Sequence, residues 1–236
     1  MLRVEARKLF DTRSGMVLTA CLLGLVIAAV VGRGFVAEPR FFRLAGTAAI
    51  PLAILLPVLA ILTVTGEWRH RTALTTFTLE SRRGRVLAAK CLPPLAATVV
   101  ACLFALLVAV PATAMAAAVQ GAEADWAVPP ATVLGWVATM ILITAQGLAL
   151  GLALLNAPAA IVISLGSTAI WSAIGQLGDV GATLAGWLDL NTTTSPLTGG
   201  EAMTGGEAAR LAVSVLAWIV IPAAFGALRV SRMDIT

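Results

Sequence analysis

The chain alternates long apolar stretches with short polar segments. Six stretches contain no Asp, Glu, Lys, Arg or His, and each is close to or above the roughly 20 residues that a transmembrane helix needs. The predicted spans are residues 14–32, 44–66, 91–122, 131–155, 157–178 and 211–228. We therefore predict an all-α integral membrane protein with six transmembrane helices, forming a single domain over residues 1–236.

Composition agrees with this pattern. Hydrophobic residues make up 59% of the chain, above the roughly 45–50% of soluble domains, and only 12% of residues are charged. Mean hydropathy is +0.96. For the first span a cleaved signal peptide is the alternative, because basic residues precede it. In the third span Pro93, Pro94 and Pro111 are able to bend or end the helix.

The basic residues predict the orientation of the spans. If the N-terminus is cytoplasmic, the inner segments hold twelve basic and five acidic residues, and the outer segments hold four basic and seven acidic residues. Positive charge accumulates on the cytoplasmic side of membrane proteins. We therefore expect both termini in the cytoplasm of a bacterial cell, and we attribute the net charge of +4 to topology and contact with membrane lipids, not to nucleic-acid binding.

Three segments outside the spans have distinct predicted structures. Residues 1–13 place apolar and basic residues on opposite faces of a helix, which is typical of an interfacial helix. Residues 179–210 mix apolar residues with glycines and threonines, which favours short helices that enter the outer leaflet and return; a disordered acidic loop is the alternative. At 156–158, Asn156 is expected to cap the fifth span.

Enzymatic motifs are missing from the sequence. The only lysines, Lys8 and Lys90, follow no glycine-rich phosphate loop, so ATP is not expected to bind this chain by that route. One histidine, His70, cannot form a clustered zinc site. No span holds an ionisable residue, which argues against the hypothesis of an ion-coupled secondary carrier. Sodium coupling through carbonyl and hydroxyl oxygens stays open.

The inner loop at 67–90 carries a family resemblance. With Gly66 it reads GEWRHRTALTTFTLESRRGRVLAAK. This loop, the basic N-terminus VEARKLFDTR and the long outer segment before the last span together resemble the permease subunits of ABC-2 type ATP-binding cassette transporters, particularly the short six-helix permeases of actinobacteria. The resemblance implies that the loop forms a coupling helix that docks on a separate ATPase subunit.

The residue types in this loop suit a protein interface. An acid at position 67 favours a helix N-terminus, and aromatic, apolar and arginine side chains dominate interfaces. The candidate ATPase-coupling residues are Glu67, Trp68, Arg69, Arg71, Thr72, Leu74 and Phe77. An ordinary positive-inside loop is the alternative; it explains the arginines but not Trp68 and Phe77.

Polar residues in the fourth and fifth spans are candidates for a substrate path. Gln146 lies in the fourth span. In the fifth, Ser164, Thr168, Trp171 and Gly175 recur at spacings of four, three and four, which puts them on one helix face. Helix packing through small residues is the alternative. Gly147 and Gly151 also form a small-xxx-small pair.

The resemblance implies a permease subunit of an exporter for a hydrophobic or amphipathic compound such as a drug, lipid or peptide. It would pair with a second copy or a similar permease and with two copies of the ATPase, which would hold ATP and magnesium; this chain would need no cofactor and would not be an enzyme by itself. The rival hypotheses are a non-transporting membrane scaffold or immunity protein and, third, a secondary carrier.

Overall fold

The chain folds into ten α-helices over the residues that the structure, a computed structural model, describes: 13–69, 83–128 and 130–232. The helices are α1 (Arg13–Gly34), α2 (Phe41–Gly46), α3 (Ala49–Arg69), α4 (Arg83–Gln120), α5 (Pro130–Leu154), α6 (Ala157–Gly175), α7 (Gly178–Leu188), α8 (Leu190–Thr194), α9 (Gly205–Val215) and α10 (Ile221–Arg232). A 3-10 turn at Ser195–Thr198 follows α8, and a π-helical segment at Leu216–Val220 joins α9 to α10. Within these ranges the β structure amounts to one isolated bridge, between Arg40 and Asp125.

Six helical stretches in the described ranges are long and apolar enough to cross a membrane. They are Ser14–Gly34, Phe41–Gly66, Ala88–Gln120, Pro130–Leu154, Ala157–Gly175 and Gly205–Val230. Each overlaps one predicted span. The prediction of an all-α protein with six apolar helices of membrane-spanning length is confirmed.

Several helix boundaries differ from the predicted ones. The last long helix begins at Gly205, six residues early, because Thr204 and Glu207 form a capping box in which the Thr204 hydroxyl accepts from the Glu207 N–H at 3.3 Å. The fifth span ends early, at Gly175, and Gly178, with φ +78°, turns the chain into α7. The three prolines of the third span lie inside α4 and do not end it.

The segments outside the spans are described in part. The outer segment at 179–210 contains the short helices α7 and α8, as predicted, and its last residues belong to α9. The interfacial helix predicted at 1–13 lies outside the described residues apart from Arg13. Most of the coupling loop at 67–90 lies outside them too: α3 continues to Arg69, and α4 resumes at Arg83.

Three of the connecting segments meet at one end of the bundle. Phe41 N–H donates to the Asp125 carbonyl at 2.9 Å, which joins the loop after α1 to the loop after α4. The Gln120 amide donates to the carbonyls of Gly34 and Ala37, both at 2.9 Å. The 3-10 turn packs there as well, with its Leu197 against Gly135 of α5. The predicted topology places all three segments on the outer side of the membrane.

The turn between α5 and α6 has the predicted capping geometry. The Asn156 side chain accepts a hydrogen bond from the Ala159 N–H at 3.1 Å. Leu155 just before it has φ +50°. At this turn the Arg229 guanidinium of α10 donates to the Ala153 carbonyl at 3.1 Å, so the end of α10 is fastened beside it.

Helix α5 is the central element, and glycines let its neighbours approach. A Cβ on Gly147 would lie 2.9 Å from Pro57 of α3, and one on Gly151 would lie 3.4 Å from Ile61 of the same helix. The small-xxx-small pair therefore packs against α3. Because lipid tails are as apolar as the helices, close packing of this kind holds helices together in a membrane.

Threonine hydroxyls inside the bundle are satisfied locally. Those of Thr65, Thr113 and Thr139 each donate to the carbonyl four residues earlier, at 2.7 to 2.9 Å. Thr98 of α4 also donates to Thr144 of α5 at 3.0 Å, which joins two long helices by a buried hydrogen bond. These four threonines thus add to packing without being left unpaired. The buried Thr19 hydroxyl and Trp136 indole N–H, by contrast, have no hydrogen-bond partner among the described residues.

The packing of α3 on α5 is testable at Gly147. We expect Gly147→Ala to lower the free energy of unfolding by about 1–3 kcal/mol, because the new methyl group meets Pro57 backbone atoms that have little room to move. Thermal unfolding of the purified protein in detergent is the measurement. Gly166→Ala in α6 is the control, since a Cβ there meets nothing within 4 Å and alanine favours the helix. Equal melting of Gly147→Ala and the parent would contradict the described contact.

Candidate functional site

A partly open cavity of about 390 Å³ lies between α3, α5, α6, α8 and the π-helical segment. Its size falls in the range of ligand pockets, roughly 300–1,000 Å³. The wall is formed by Ile50, Ala53, Ile54, Ile143, Gln146, Ser164, Leu165, Ser167, Thr168, Trp171, Asp189, Leu190, Asn191 and Trp218. Most of this surface is apolar, and the polar groups are few and grouped, as in sites that bind small amphipathic molecules.

Four of the five predicted substrate-path residues lie on this wall. Gln146 of α5 faces the same space as Ser164, Thr168 and Trp171 of α6. Gly175 does not contribute to it: a Cβ there would lie 3.6 Å from Ala185 of α7. The helix face is continuous, but α7 folds back over its last turn, so Gly175 serves helix packing. That the other four contact a substrate stays a prediction.

The floor of the cavity is a small polar cluster. Gln146, Ser164 and Ser167 are all at most 7% exposed. The Gln146 amide donates to the Ser167 hydroxyl at 3.5 Å, which is at the long limit for a hydrogen bond, while Ser167 donates to the Ser164 carbonyl at 2.8 Å. A carboxamide has two donor hydrogens and two acceptor lone pairs. Gln146 therefore has hydrogen-bonding capacity to offer a molecule in the cavity.

Asp189 is a wall residue that the sequence analysis missed. It is 8% exposed and caps α8: its carboxylate accepts from the N–H groups of Asn191 and Thr192, at 3.1 and 3.2 Å, and from the Thr192 hydroxyl at 2.6 Å. The predicted spans contain no ionisable residue, but the fold brings this acid from the outer segment to the cavity. An Asp before a threonine-rich run indicates a helix cap. No feature of the neighbouring sequence indicates that Asp189 would line the cavity.

Trp218 is the second missed residue, and it lies in the π-helical segment. Pro222 follows four residues later, and a proline ring crowds the carbonyl four residues before it. The wider π turn relieves that crowding, and such segments are frequent at functional sites. The Trp218 indole N–H donates to the Leu188 carbonyl at 2.7 Å, so the last long helix is fastened to the corner between α7 and α8.

Three of the seven predicted coupling residues fall within the described part of the chain, and none of the three is among the described residues of the cavity wall. Glu67, Trp68 and Arg69 form the end of α3, whereas Arg71, Thr72, Leu74 and Phe77 lie outside the described residues. Their docking role stays a prediction. Helix α3 nevertheless contributes Ile50 and Ile54 to the cavity and ends at this loop, so one helix runs from the cavity to the predicted ATPase contact.

The corner beside the cavity is testable through Trp218. We expect Trp218→Phe to keep the packing but to lose the bond to Leu188, which lowers stability by about 1 kcal/mol and speeds hydrogen exchange in residues 184–194. Mass-spectrometric hydrogen exchange measures the second effect. Trp126→Phe is the control, because Trp126 is half exposed and packs its ring on Phe41. Unchanged exchange in Trp218→Phe would show that this bond does not hold the corner.

Two comparisons with known proteins were negative. No family model matches the chain, and no curated protein matches it. The residues of the cavity and the layout of the helices are therefore the grounds on which a function is assigned.

Proposed function

We propose that this chain is the membrane-spanning permease subunit of an ATP-binding cassette exporter of the ABC-2 type. It moves a hydrophobic or amphipathic compound, such as a drug, lipid or peptide, across a bacterial plasma membrane. Two permeases, either two copies or a similar pair, form the complex with two copies of a separate ATPase. The observation that carries the proposal is the apolar cavity with its polar cluster of Gln146, Ser164 and Ser167, bounded mainly by helices of membrane-spanning length.

The cavity supports a transporter more than a scaffold. Polar groups inside a membrane bundle cost free energy unless they are paired, and they occur chiefly where a protein handles a substrate. Gln146 and Ser167 are joined only by one long hydrogen bond. A scaffold that binds its partner through the cytoplasmic loop has no need of a cavity of about 390 Å³ between its apolar helices.

The energy source in this proposal is the partner subunit. The sequence has no glycine-rich phosphate loop, so ATP and magnesium would bind the ATPase. Closure of the ATPase pair would push on the loop after α3. Since α3 also lines the cavity with Ile50 and Ile54, a tilt of that helix would change the cavity directly.

A secondary carrier is the second candidate, and Asp189 is the observation that favours it. An acid in a cavity between apolar helices is able to couple a cation to transport. Liposomes that contain the chain alone separate the two hypotheses. Uptake or release driven by a sodium or proton gradient without an ATPase would favour the carrier.

The orientation gives the first test of this proposal. Reporter fusions after Lys90 and Arg232 should report the cytoplasm, and fusions near Asp125 and Thr198 should report the exterior, because twelve of the sixteen basic residues would then lie inside. Phosphatase and fluorescent-protein fusions in a bacterial host are the measurement. A cytoplasmic signal at Thr198 would overturn the six-span topology.

Coupling gives the second test. We expect Glu67→Lys and Trp68→Ala to abolish substrate-stimulated ATP hydrolysis by the complex in liposomes, while the chain still inserts and dimerises. The loss of one aromatic anchor costs an interface about 2 kcal/mol or more. Arg85→Ala, nearer the third span, is the control and should matter less.

Two outcomes would contradict this expectation in different ways. If Glu67→Lys and Trp68→Ala hydrolyse ATP and export like the parent, the loop is not the coupling element. If no ATPase co-purifies with the parent chain, the permease assignment fails in favour of the scaffold or the carrier.

A further inference from the structure

Among the described residues, the cavity wall carries one formal charge, and it is negative. Asp189 is the acidic residue there, and none of the described wall residues is Lys, Arg or His. Asp189 forms no ion pair with any residue in the described part of the chain. A carboxylate only 8% exposed is poorly hydrated, so its field acts strongly on whatever occupies the cavity.

The capping duty of Asp189 does not account for its charge. Its three hydrogen bonds come from neutral donors, the two N–H groups of the first turn of α8 and the Thr192 hydroxyl. Neutral donors disperse a negative charge but do not cancel it. Asparagine also caps helices, so a neutral residue could occupy this position, although with fewer hydrogen bonds, because both oxygens of Asp189 accept and asparagine has one acceptor oxygen.

Two indole rings share the wall with this carboxylate. Trp218 donates to the carbonyl of Leu188, the residue directly before Asp189, and both Trp218 and Asp189 line the cavity. Trp171 reaches the same cavity from α6. The faces of indole rings attract cations, and aromatic residues with an acid are the usual means of binding quaternary ammonium groups.

We propose that the cavity binds an amphipathic organic monocation. Its positive group lies near Asp189 and the two indoles, and its apolar body lies on the side of Ile50 and Ile54. A cation that leaves water loses hydration energy and needs an opposite charge to offset it, which Asp189 supplies. An anion is repelled, and a neutral compound gains nothing from the carboxylate. As a substrate class this rests on the proposed exporter, but binding itself requires neither ATP nor transport.

The test uses two ions of nearly equal shape and opposite charge. The full chain is purified into lipid nanodiscs, and equilibrium binding of tetraphenylphosphonium and of tetraphenylborate is measured, with empty nanodiscs subtracted. We expect the parent to bind the phosphonium at least about tenfold more tightly than the borate. Asp189→Asn should weaken phosphonium binding at least about tenfold, because it removes the charge. Asparagine keeps the capping bonds on one side only, so thermal unfolding is measured alongside to establish that the variant is folded.

Matched variants separate charge from structure. Asp179→Asn makes the same change at an exposed acid in the first turn of α7, outside the cavity, and should leave phosphonium binding unchanged. Asn191→Lys places a positive charge on the wall at an exposed position, and should weaken phosphonium and strengthen borate binding. If Asp189→Asn proves unstable, Asn191→Lys carries the test alone.

The outcomes are distinct. Equal phosphonium binding by the parent and Asp189→Asn, or by the parent and a folded Asn191→Lys, would overturn the proposal and leave Asp189 as a helix cap. Preference for the borate would overturn it as well. Binding as expected by a chain with which no ATPase co-purifies would keep the cation site and refute the exporter, whereas ATP-driven export of neutral compounds only would keep the exporter and refute the cation site.

Discussion

The fold depends on places where α5 has no side chain. Gly135, Gly147 and Gly151 each face the backbone of a neighbouring segment, and a Cβ on Gly135 would overlap the Leu197 carbonyl. At the contact between α10 and α5 the glycine is on the other helix: Gly226 of α10 lies against the backbone of Leu152 in α5. In a bundle where lipid and protein are equally apolar, surface burial alone gives little preference for one helix pair over another, so this backbone contact decides which helices meet.

The polar groups of the bundle divide into two kinds. Most hydroxyls of the long helices are satisfied within their own helix, as in Thr65 and Thr113, and these stabilise the bundle at little cost. The groups at the cavity differ: the Gln146 amide makes one long hydrogen bond, and the negative charge of Asp189 forms no ion pair within the described part of the chain. A membrane bundle retains such groups where they serve a ligand.

Helix α3 links the two ends of the proposed mechanism. Its first turns contribute Ile50 and Ile54 to the cavity, its middle packs through Pro57 on Gly147, and it ends at Arg69 at the start of the predicted coupling loop. Buried residues recur along the helix from Leu52 to Thr65, so a displacement at one end would be carried along it as a rigid element. The Trp218 bond to Leu188 fastens the opposite wall of the cavity, so movement of α3 would change the cavity volume instead of carrying the wall with it.

Features that depend on local composition could be predicted from the sequence alone. Uninterrupted apolar runs predicted six helices of spanning length, and Asn156 predicted the cap of α6, because hydropathy and capping act over a few neighbouring residues. The polar face of the fifth span was also visible, and three of its residues, with Gln146, line the cavity. The helix partners of the glycines could be read only from the folded chain: Gly175 packs on α7, and Gly147 and Gly151 pack on α3. The same holds for the wall of the cavity, to which Asp189 and Trp218 contribute. The reason is physical: in a membrane bundle the faces toward lipid and toward protein are both apolar, so periodicity does not reveal which face turns inward, and that choice is made by long-range backbone fit.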